Sequence, residues 1–87
     1  MSYELCEDDL GWYLFECNHH NRRMTDYFSS KKEILDILRS QGYHKDAIDL
    51  LEEEGYIPSM IWIGDELYAC SIKLRSILIE LDLMIYD

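Results

Sequence analysis

The alternation of apolar and polar residues in the N-terminal part of the chain predicts a β-hairpin. Two aromatic-rich runs, YELCED and GWYLFECN, are separated by the turn sequence Asp8-Asp9-Leu10-Gly11. Aromatic residues on both sides of a glycine-bearing turn are typical of paired antiparallel strands. A third alternating run, RRMTDYF, could add a strand and extend the hairpin to a three-stranded meander.

The next two segments have the spacing and the end signals of helices. Ser30-Lys-Lys-Glu33 fits a capping box, so we predict a first helix over about residues 30–41 that ends at Gly42. A second apolar stripe predicts a helix over about residues 44–54, followed by Gly55. In both places glycine is expected to take the left-handed conformation that closes a helix.

The segment after Pro58 has two interpretations. Gly64-Asp65 could be the turn of a second hairpin, with a strand near residues 60–63. The competing pattern is a helical stripe formed by Leu67, Cys70, Leu74, Ile77, Leu81 and Met84. Because the helical pattern covers the longer window, we predict a third helix over about residues 65–80, whereas residues 77–86 alternate as well and could be extended.

Together these elements predict an α+β fold. We expect a small antiparallel sheet, with three helices covering one of its faces, in a single compact domain of residues 1–87.

Charge restricts the choice of partner. The chain has 18 acidic and 8 basic residues, for a net charge of −10. Residues 1–17 hold five acidic side chains and residues 46–66 hold seven, and neither segment contains Lys or Arg. Such blocks repel phosphate backbones and anionic membranes, so we expect neither direct nucleic-acid binding nor membrane binding. A basic protein surface is the natural complement.

The cellular location is predicted from the lack of membrane-spanning and secretion signals in the sequence. No run approaches the roughly 20 apolar residues needed to span a bilayer. MSYELCEDD has neither the basic start nor the apolar centre of a secretion signal. We therefore expect a cytoplasmic protein, or one in the host cytoplasm if the gene belongs to a phage.

The acidic end of the second predicted helix is the first candidate site. Acidic residues in the last turn oppose the helix dipole, and sequences tend to break such local rules at functional positions. The partner-binding residues that we predict here are Asp46, Asp49, Glu52, Glu53 and Glu54. A second predicted patch consists of Glu7, Asp8, Asp9, Asp65 and Glu66.

These features predict a small acidic inhibitor, not an enzyme. Its carboxylates would occupy a basic surface on a partner protein, in the place of nucleic-acid phosphates, as in a DNA mimic. In size and charge the chain resembles the small acidic inhibitors that phages use against host restriction, CRISPR or repair enzymes, although no motif carries this resemblance. It implies an anti-defence, anti-CRISPR type of activity.

The run CNHHNRR gives an alternative. Cys17, His19 and His20, together with Cys6, could ligate zinc or form a reactive thiol site. Structural zinc sites usually contain paired knuckles such as C-x₂-C, which this chain lacks. We therefore favour a polar connection between strands and predict no catalytic residue, metal or cofactor.

Two other functions stay open. One is a zinc-stabilised or thiol-regulated module that uses these four residues. The other is a subunit of an obligate homo-oligomer, such as a homodimer formed through the apolar stripe of residues 67–85.

Overall fold

The computed structural model describes residues 1–18 and 20–85 and confirms the α+β class. The elements in chain order are β1 (Ser2–Asp8), β2 (Gly11–Cys17), β3 (Arg22–Arg23), α1 (Lys31–Ser40), α2 (Lys45–Glu54), β4 (Tyr56–Ile57), β5 (Ile61–Ile63), β6 (Glu66–Tyr68) and α3 (Cys70–Glu80).

The main sheet has four antiparallel strands in the order β3-β2-β1-β4. The predicted N-terminal hairpin is present, and Leu5 of β1 lies opposite Leu14 of β2. On the other side of β1, Tyr3 lies opposite Ile57 of β4. Side chains alternate between the faces of a strand, so Tyr3, Leu14 and Ile57 point to one face, where all three are fully buried.

The third strand is shorter than the alternating run suggested. After Arg23 the side chain of Thr25 replaces a backbone partner, because the Leu14 N–H donates to Thr25 Oγ1 at 3.1 Å. The Met24 N–H still donates to the Leu14 carbonyl at 2.9 Å. The predicted meander is therefore correct in order, with a third strand of two residues.

The first two helices lie where they were predicted. Ser30 caps α1 by accepting a hydrogen bond from the Glu33 N–H at 3.1 Å. At the other end Gly42 has a φ of 79°, and the next residue donates from its N–H to the Leu38 carbonyl. The buried residues of α1, α2 and α3 form one apolar cluster with the buried face of the sheet.

The prediction for residues 65–80 was wrong at its start. Residues 66–68 form β6, which pairs with β5 across the turn at Gly64-Asp65, and α3 begins only at Cys70. Gly64 has a φ of 62°, a conformation that a two-residue hairpin turn requires and that glycine adopts without strain. The alternative interpretation, a second hairpin with a strand near residues 60–63, is the correct one.

The centre of the helical stripe behind that prediction belongs to the core, whereas its first residue, Leu67, is exposed. Cys70 and Leu74 are fully buried within their own chain. The centre of the stripe is therefore not available for the homodimer contact suggested by the sequence.

After α3, which continues to Glu80, the chain forms a turn with Asp82 at a φ of 57°. Met84 then forms an isolated antiparallel bridge with Thr25, and the Ile85 N–H donates to the Met24 carbonyl at 3.1 Å. Tyr86 lies outside the described residues.

Candidate functional site: an acidic helix surface

Helix α2 presents carboxylates on the side opposite its buried residues. Ala47, Ile48 and Leu51 face the core. Since an α-helix has 3.6 residues per turn, Asp46, Asp49 and Glu53 fall together on the outer side, over about 10 Å of helix. We call Asp46, Asp49, Glu52, Glu53 and Glu54 the α2 acidic surface. The structure thus brings all five predicted helix residues onto one short element.

Two of these carboxylates have basic partners. Lys45 Nζ contacts Asp49 Oδ2 at 2.6 Å, and this hydrogen bond raises the pKa of Lys45. Arg39 approaches Glu52 Oε1 at 3.7 Å. Among the described residues, Asp46, Glu53 and Glu54 form no ion pair. The charges of Asp46 and Glu53 still add to the effect of the Asp49 hydrogen bond in raising the pKa of Lys45. With one lysine for five acids over residues 45–54, the helix keeps a negative surface.

The acidic end of α2 is stabilised by a cation from another helix. The last turn of α2 contains no basic residue, but Lys31 Nζ of α1 donates to the Glu52 carbonyl oxygen at 2.6 Å. The last four carbonyls of a helix lack helical partners, and a positive charge is favourable beside them. This contact was not predictable from the sequence near Glu52.

The C-terminal end of α2 continues into the main sheet. The Leu5 N–H of β1 donates to the Gly55 carbonyl at 2.8 Å, one position before β4. Strand β1 is therefore attached through Leu5 to the residue that ends α2. Glu7 lies two positions further along β1 and is exposed. One half of the second predicted patch is thus on the hairpin that β1 begins.

Within that half, Asp8 has a structural role. Its Oδ1 accepts a hydrogen bond from the Leu10 N–H at 2.8 Å, which stabilises the hairpin turn. Its Oδ2 accepts from the Tyr27 hydroxyl at 3.1 Å. Asp9 is exposed beside it. Glu7 and Asp9 are therefore better placed than Asp8 to contact a partner.

The other half of the patch adjoins the N-terminal end of α2. The His44 N–H donates to the Tyr68 hydroxyl at 3.0 Å, so the β5–β6 hairpin is attached to the start of the helix. His44 and Glu66 line one small depression. His44 Nδ1 also accepts from the Asp46 N–H at 3.0 Å. Glu66 thus lies near the start of α2, and Asp65 is exposed in the hairpin turn that precedes Glu66.

Glu16 contributes no surface charge. Its side chain is 0% exposed on the core side of β2. Arg75 Nη1 of α3 donates to Glu16 Oε2 at 3.1 Å, and Arg22 Nε lies 3.7 Å from Oε1. One member of the first acidic block is therefore part of a buried ion-pair network.

Two of the candidate zinc ligands, Cys6 and Cys17, lie on one face of the hairpin and contact the same carboxylate. Cys6 Sγ lies 4.0 Å from Glu4 Oε2, and Cys17 Sγ lies 3.2 Å from Glu4 Oε1. Within residues 1–18 and 20–85, no three His, Cys, Asp or Glu side chains are arranged to hold a metal ion. His20 is exposed, and His19 is outside the described part of the chain.

The thiols are also in surroundings that oppose nucleophilic chemistry. Cys17 donates from Sγ to Glu4 Oε1 at 3.2 Å. Burial, followed by this hydrogen bond and the charge of Glu4, raises the pKa of Cys17 to about 11. Burial and Glu4 raise the pKa of Cys6 as well. Because the thiolate is the reactive form, both cysteines are poor nucleophiles at neutral pH.

The β5–β6 hairpin carries an exposed apolar cluster that the sequence analysis did not predict. Trp62 is 69% exposed, Leu67 is 54% exposed and Met60 is 51% exposed. Trp62 and Leu67 are cross-strand neighbours in the β5–β6 pair. We call these three residues the hairpin apolar cluster. The helical interpretation of residues 65–80 concealed it, because that interpretation placed Leu67 in a buried stripe.

Comparisons with protein-family models, with curated proteins and with solved structures find no match. In the part of the chain that the structure describes, no helix has both the length and the apolar character needed to cross a bilayer.

Proposed function

We propose that this protein is a non-catalytic acidic inhibitor that occupies a basic, nucleic-acid-binding surface of a partner protein. The observation that carries the proposal is the α2 acidic surface, on which Asp46, Glu53 and Glu54 lack ion pairs among the described residues. Over residues 45–54 there is one basic and there are five acidic side chains. A rigid helix thus holds a dense negative charge close to solvent.

The neighbouring acids support the same proposal. Glu7 and Asp9 are exposed on the hairpin whose Leu5 is bonded to Gly55 at the end of α2, and Glu66 lies near His44 at its start. The elements attached to both ends of the helix thus also expose acidic side chains, which suits an elongated basic groove. Complementary charges of this kind accelerate association and select against acidic partners. In such a groove the carboxylates would take the place of phosphates.

The setting that we propose is the inhibition of a defence or repair enzyme in a cytoplasm, as by phage-type anti-defence, anti-CRISPR or DNA-mimic proteins. The support is the combination of small size, a net charge of −10 and a helix with five acidic side chains and one basic side chain. The zinc alternative lacks a group of three suitably arranged ligands among the described residues, and the raised pKa values of Cys6 and Cys17 disfavour the thiol alternative.

The experiment is affinity capture with the tagged protein from extracts of its natural host, at low and at high salt. We expect a basic nucleic-acid enzyme at low salt, and we expect DNA or RNA to displace it in competition. The variant Asp46→Asn/Glu53→Gln/Glu54→Gln should lose most of the capture. Its control, Asp26→Asn/Glu80→Gln/Asp82→Asn, removes the same charge elsewhere and should retain it.

Two outcomes would contradict the proposal. One is a captured partner whose binding is indifferent to nucleic acid and to the α2 variant. The other is no captured partner together with one zinc per chain in the purified protein, which would favour the zinc-stabilised alternative.

A further inference from the structure

The hairpin apolar cluster is exposed on a small sheet that is separate from the main one. Ile61 and Tyr68 of the β5–β6 hairpin pack against the core, and alternation along the strands directs Trp62 and Leu67 outward. Met60 precedes β5 directly and is exposed as well. Opposite residues in an antiparallel pair have their Cβ atoms about 5 Å apart, so Trp62 and Leu67 form a continuous apolar surface.

A cluster of exposed apolar residues indicates an interaction site more strongly than a single exposed apolar residue does. Isolated exposed apolar residues are common on protein surfaces, whereas a cluster bordered by polar groups marks an interaction site. Tryptophan is also among the residues that contribute most to protein–protein affinity. The polar border here consists of Asp65 and Glu66, which follow directly in the hairpin turn and strand.

The charge around the cluster decides which occupant fits it. Residues 59–68 contain two acidic side chains and no Lys or Arg. A second copy of the chain, placed against this hairpin by a twofold axis, would bring Asp65 and Glu66 of both copies together. Lys73, whose Nζ lies 5.2 Å from the centroid of the Tyr68 ring, would offset only part of their charge. An anionic lipid surface would be repelled in the same way. A basic protein with an apolar pocket supplies both the counter-charge and the apolar contact.

We propose that Trp62, together with Met60 and Leu67, is the anchor that enters an apolar pocket beside the basic groove of the partner. This inference rests on the proposed function and adds a second contribution to it. The hairpin is attached to the start of α2 through His44 and Tyr68, so anchor and charge can engage the same partner. The α2 acidic surface supplies attraction that salt weakens, and the anchor supplies affinity that salt does not remove.

Two basic peptides serve as probes. One contains only lysine, and the other contains the same number of lysines with leucines between them. We expect the wild-type protein to bind the lysine–leucine peptide about tenfold more tightly than the lysine-only peptide, at low and at high salt. Calorimetric or fluorescence titration measures both affinities.

The variants separate the anchor from the charge. Trp62→Thr keeps a residue that favours strands and should abolish the tenfold preference, with no change for the lysine-only peptide. Leu67→Ala should reduce the preference by about threefold. Its matched control is Leu10→Ala, which removes a leucine that is 71% exposed on the other hairpin and should leave the preference unchanged. Circular dichroism confirms that each variant is folded.

Different failures have different meanings. Equal binding of the two peptides by the wild type, or an unchanged preference in Trp62→Thr and Leu67→Ala, overturns the anchor and leaves the charge-based function standing. Failure of the wild type to bind either peptide contradicts the proposed function as well. A wild-type dimer that Trp62→Thr converts to a monomer would assign the cluster to self-association and overturn the inference.

Discussion

Lys31 of α1 donates a hydrogen bond of 2.6 Å from Nζ to the backbone carbonyl oxygen of Glu52 in α2. This contact places a positive charge at the end of a helix whose last turn is entirely acidic on its exposed side. Since a helix C-terminus carries a partial negative charge, Lys31 offsets part of the repulsion that Glu52, Glu53 and Glu54 create. The acidic surface is thus supported by a neighbouring helix.

We expect Lys31→Met to reduce the free energy of unfolding by about 1 kcal/mol, because a carbonyl partner and a favourable charge are lost together. Urea denaturation monitored by circular dichroism measures the loss. The control Lys32→Met removes the adjacent lysine, which pairs with Asp36 on the surface of the same helix, and its effect should be smaller. Equal losses in the two variants would show that Lys31 has no special role at the end of α2.

The buried Glu16 should be important for stability. Glu16→Gln removes the negative charge between Arg22 and Arg75, and we expect a loss of about 1–3 kcal/mol in the free energy of unfolding. We expect a smaller loss than for a fully buried ion pair because the side chains of Arg22 and Arg75 both reach solvent. The control Glu7→Gln alters an exposed glutamate on the adjacent strand and should change stability by no more than about 0.5 kcal/mol. Similar midpoints in urea for both variants would contradict this account of Glu16.

Alanine substitutions at Gly11 and Gly64 distinguish the cost of backbone strain from the cost of a close contact. Both have a positive φ, of 134° and 62° respectively, but only at Gly11 would an added Cβ lie 2.5 Å from the Phe28 carbonyl oxygen. We expect Gly11→Ala to cost about 3 kcal/mol or more, since the contact between β2 and residue 28 must open. At Gly64, which faces open space, Gly64→Ala should cost about 1 kcal/mol. Thermal unfolding measures which variant is less stable. A lower stability for Gly64→Ala than for Gly11→Ala would be inconsistent with the structure.

Cys17 should react slowly with alkylating agents. Its pKa is raised from 9.0 to about 11, so at pH 8 its thiolate fraction is about a hundredfold lower than that of an ordinary cysteine. Iodoacetamide labelling followed by peptide mass spectrometry should show a rate that keeps rising between pH 9 and 11. Glu4→Gln removes the negative charge at this thiol and should increase the rate at pH 8.

The same pKa shift sets the sign of a stability change. The folded protein keeps the Cys17 proton to a higher pH than the unfolded chain does. The contribution of this group to stability is therefore complete below pH 9 and decreases as the pH rises towards 11. Fast labelling of Cys17 at pH 8, comparable to that of a free thiol, would contradict both statements.

The helices that were predicted well have ends determined by nearby residues. Ser30 and Gly42 define α1 through contacts with residues a few positions away, and Gly55 ends α2 in the same way. The start of α3 was wrong because the spacing of Leu67 fits a helix as well as a strand. Only the pairing of Leu67 with Trp62 decides between them.

The candidate site was predictable only in part. The acids of α2 are visible in the sequence because they are consecutive and unopposed. Their partners are not visible, because Lys31 is 21 positions from Glu52, and Arg75 is 59 positions from Glu16. Which carboxylates are free and which are neutralised depends on these long-range contacts, and no local pattern contains them.

The central claim is that a defined acidic surface on α2, and not net charge alone, binds a basic partner. The most direct measurement is the salt dependence of binding to the lysine-only peptide, by titration calorimetry, for the wild type and for two variants of equal net charge. We predict that Asp46→Asn/Glu53→Gln/Glu54→Gln binds more weakly with a shallower salt dependence, whereas Asp26→Asn/Glu80→Gln/Asp82→Asn resembles the wild type. Equal weakening in both variants would contradict the claim, because net charge alone would then explain the binding.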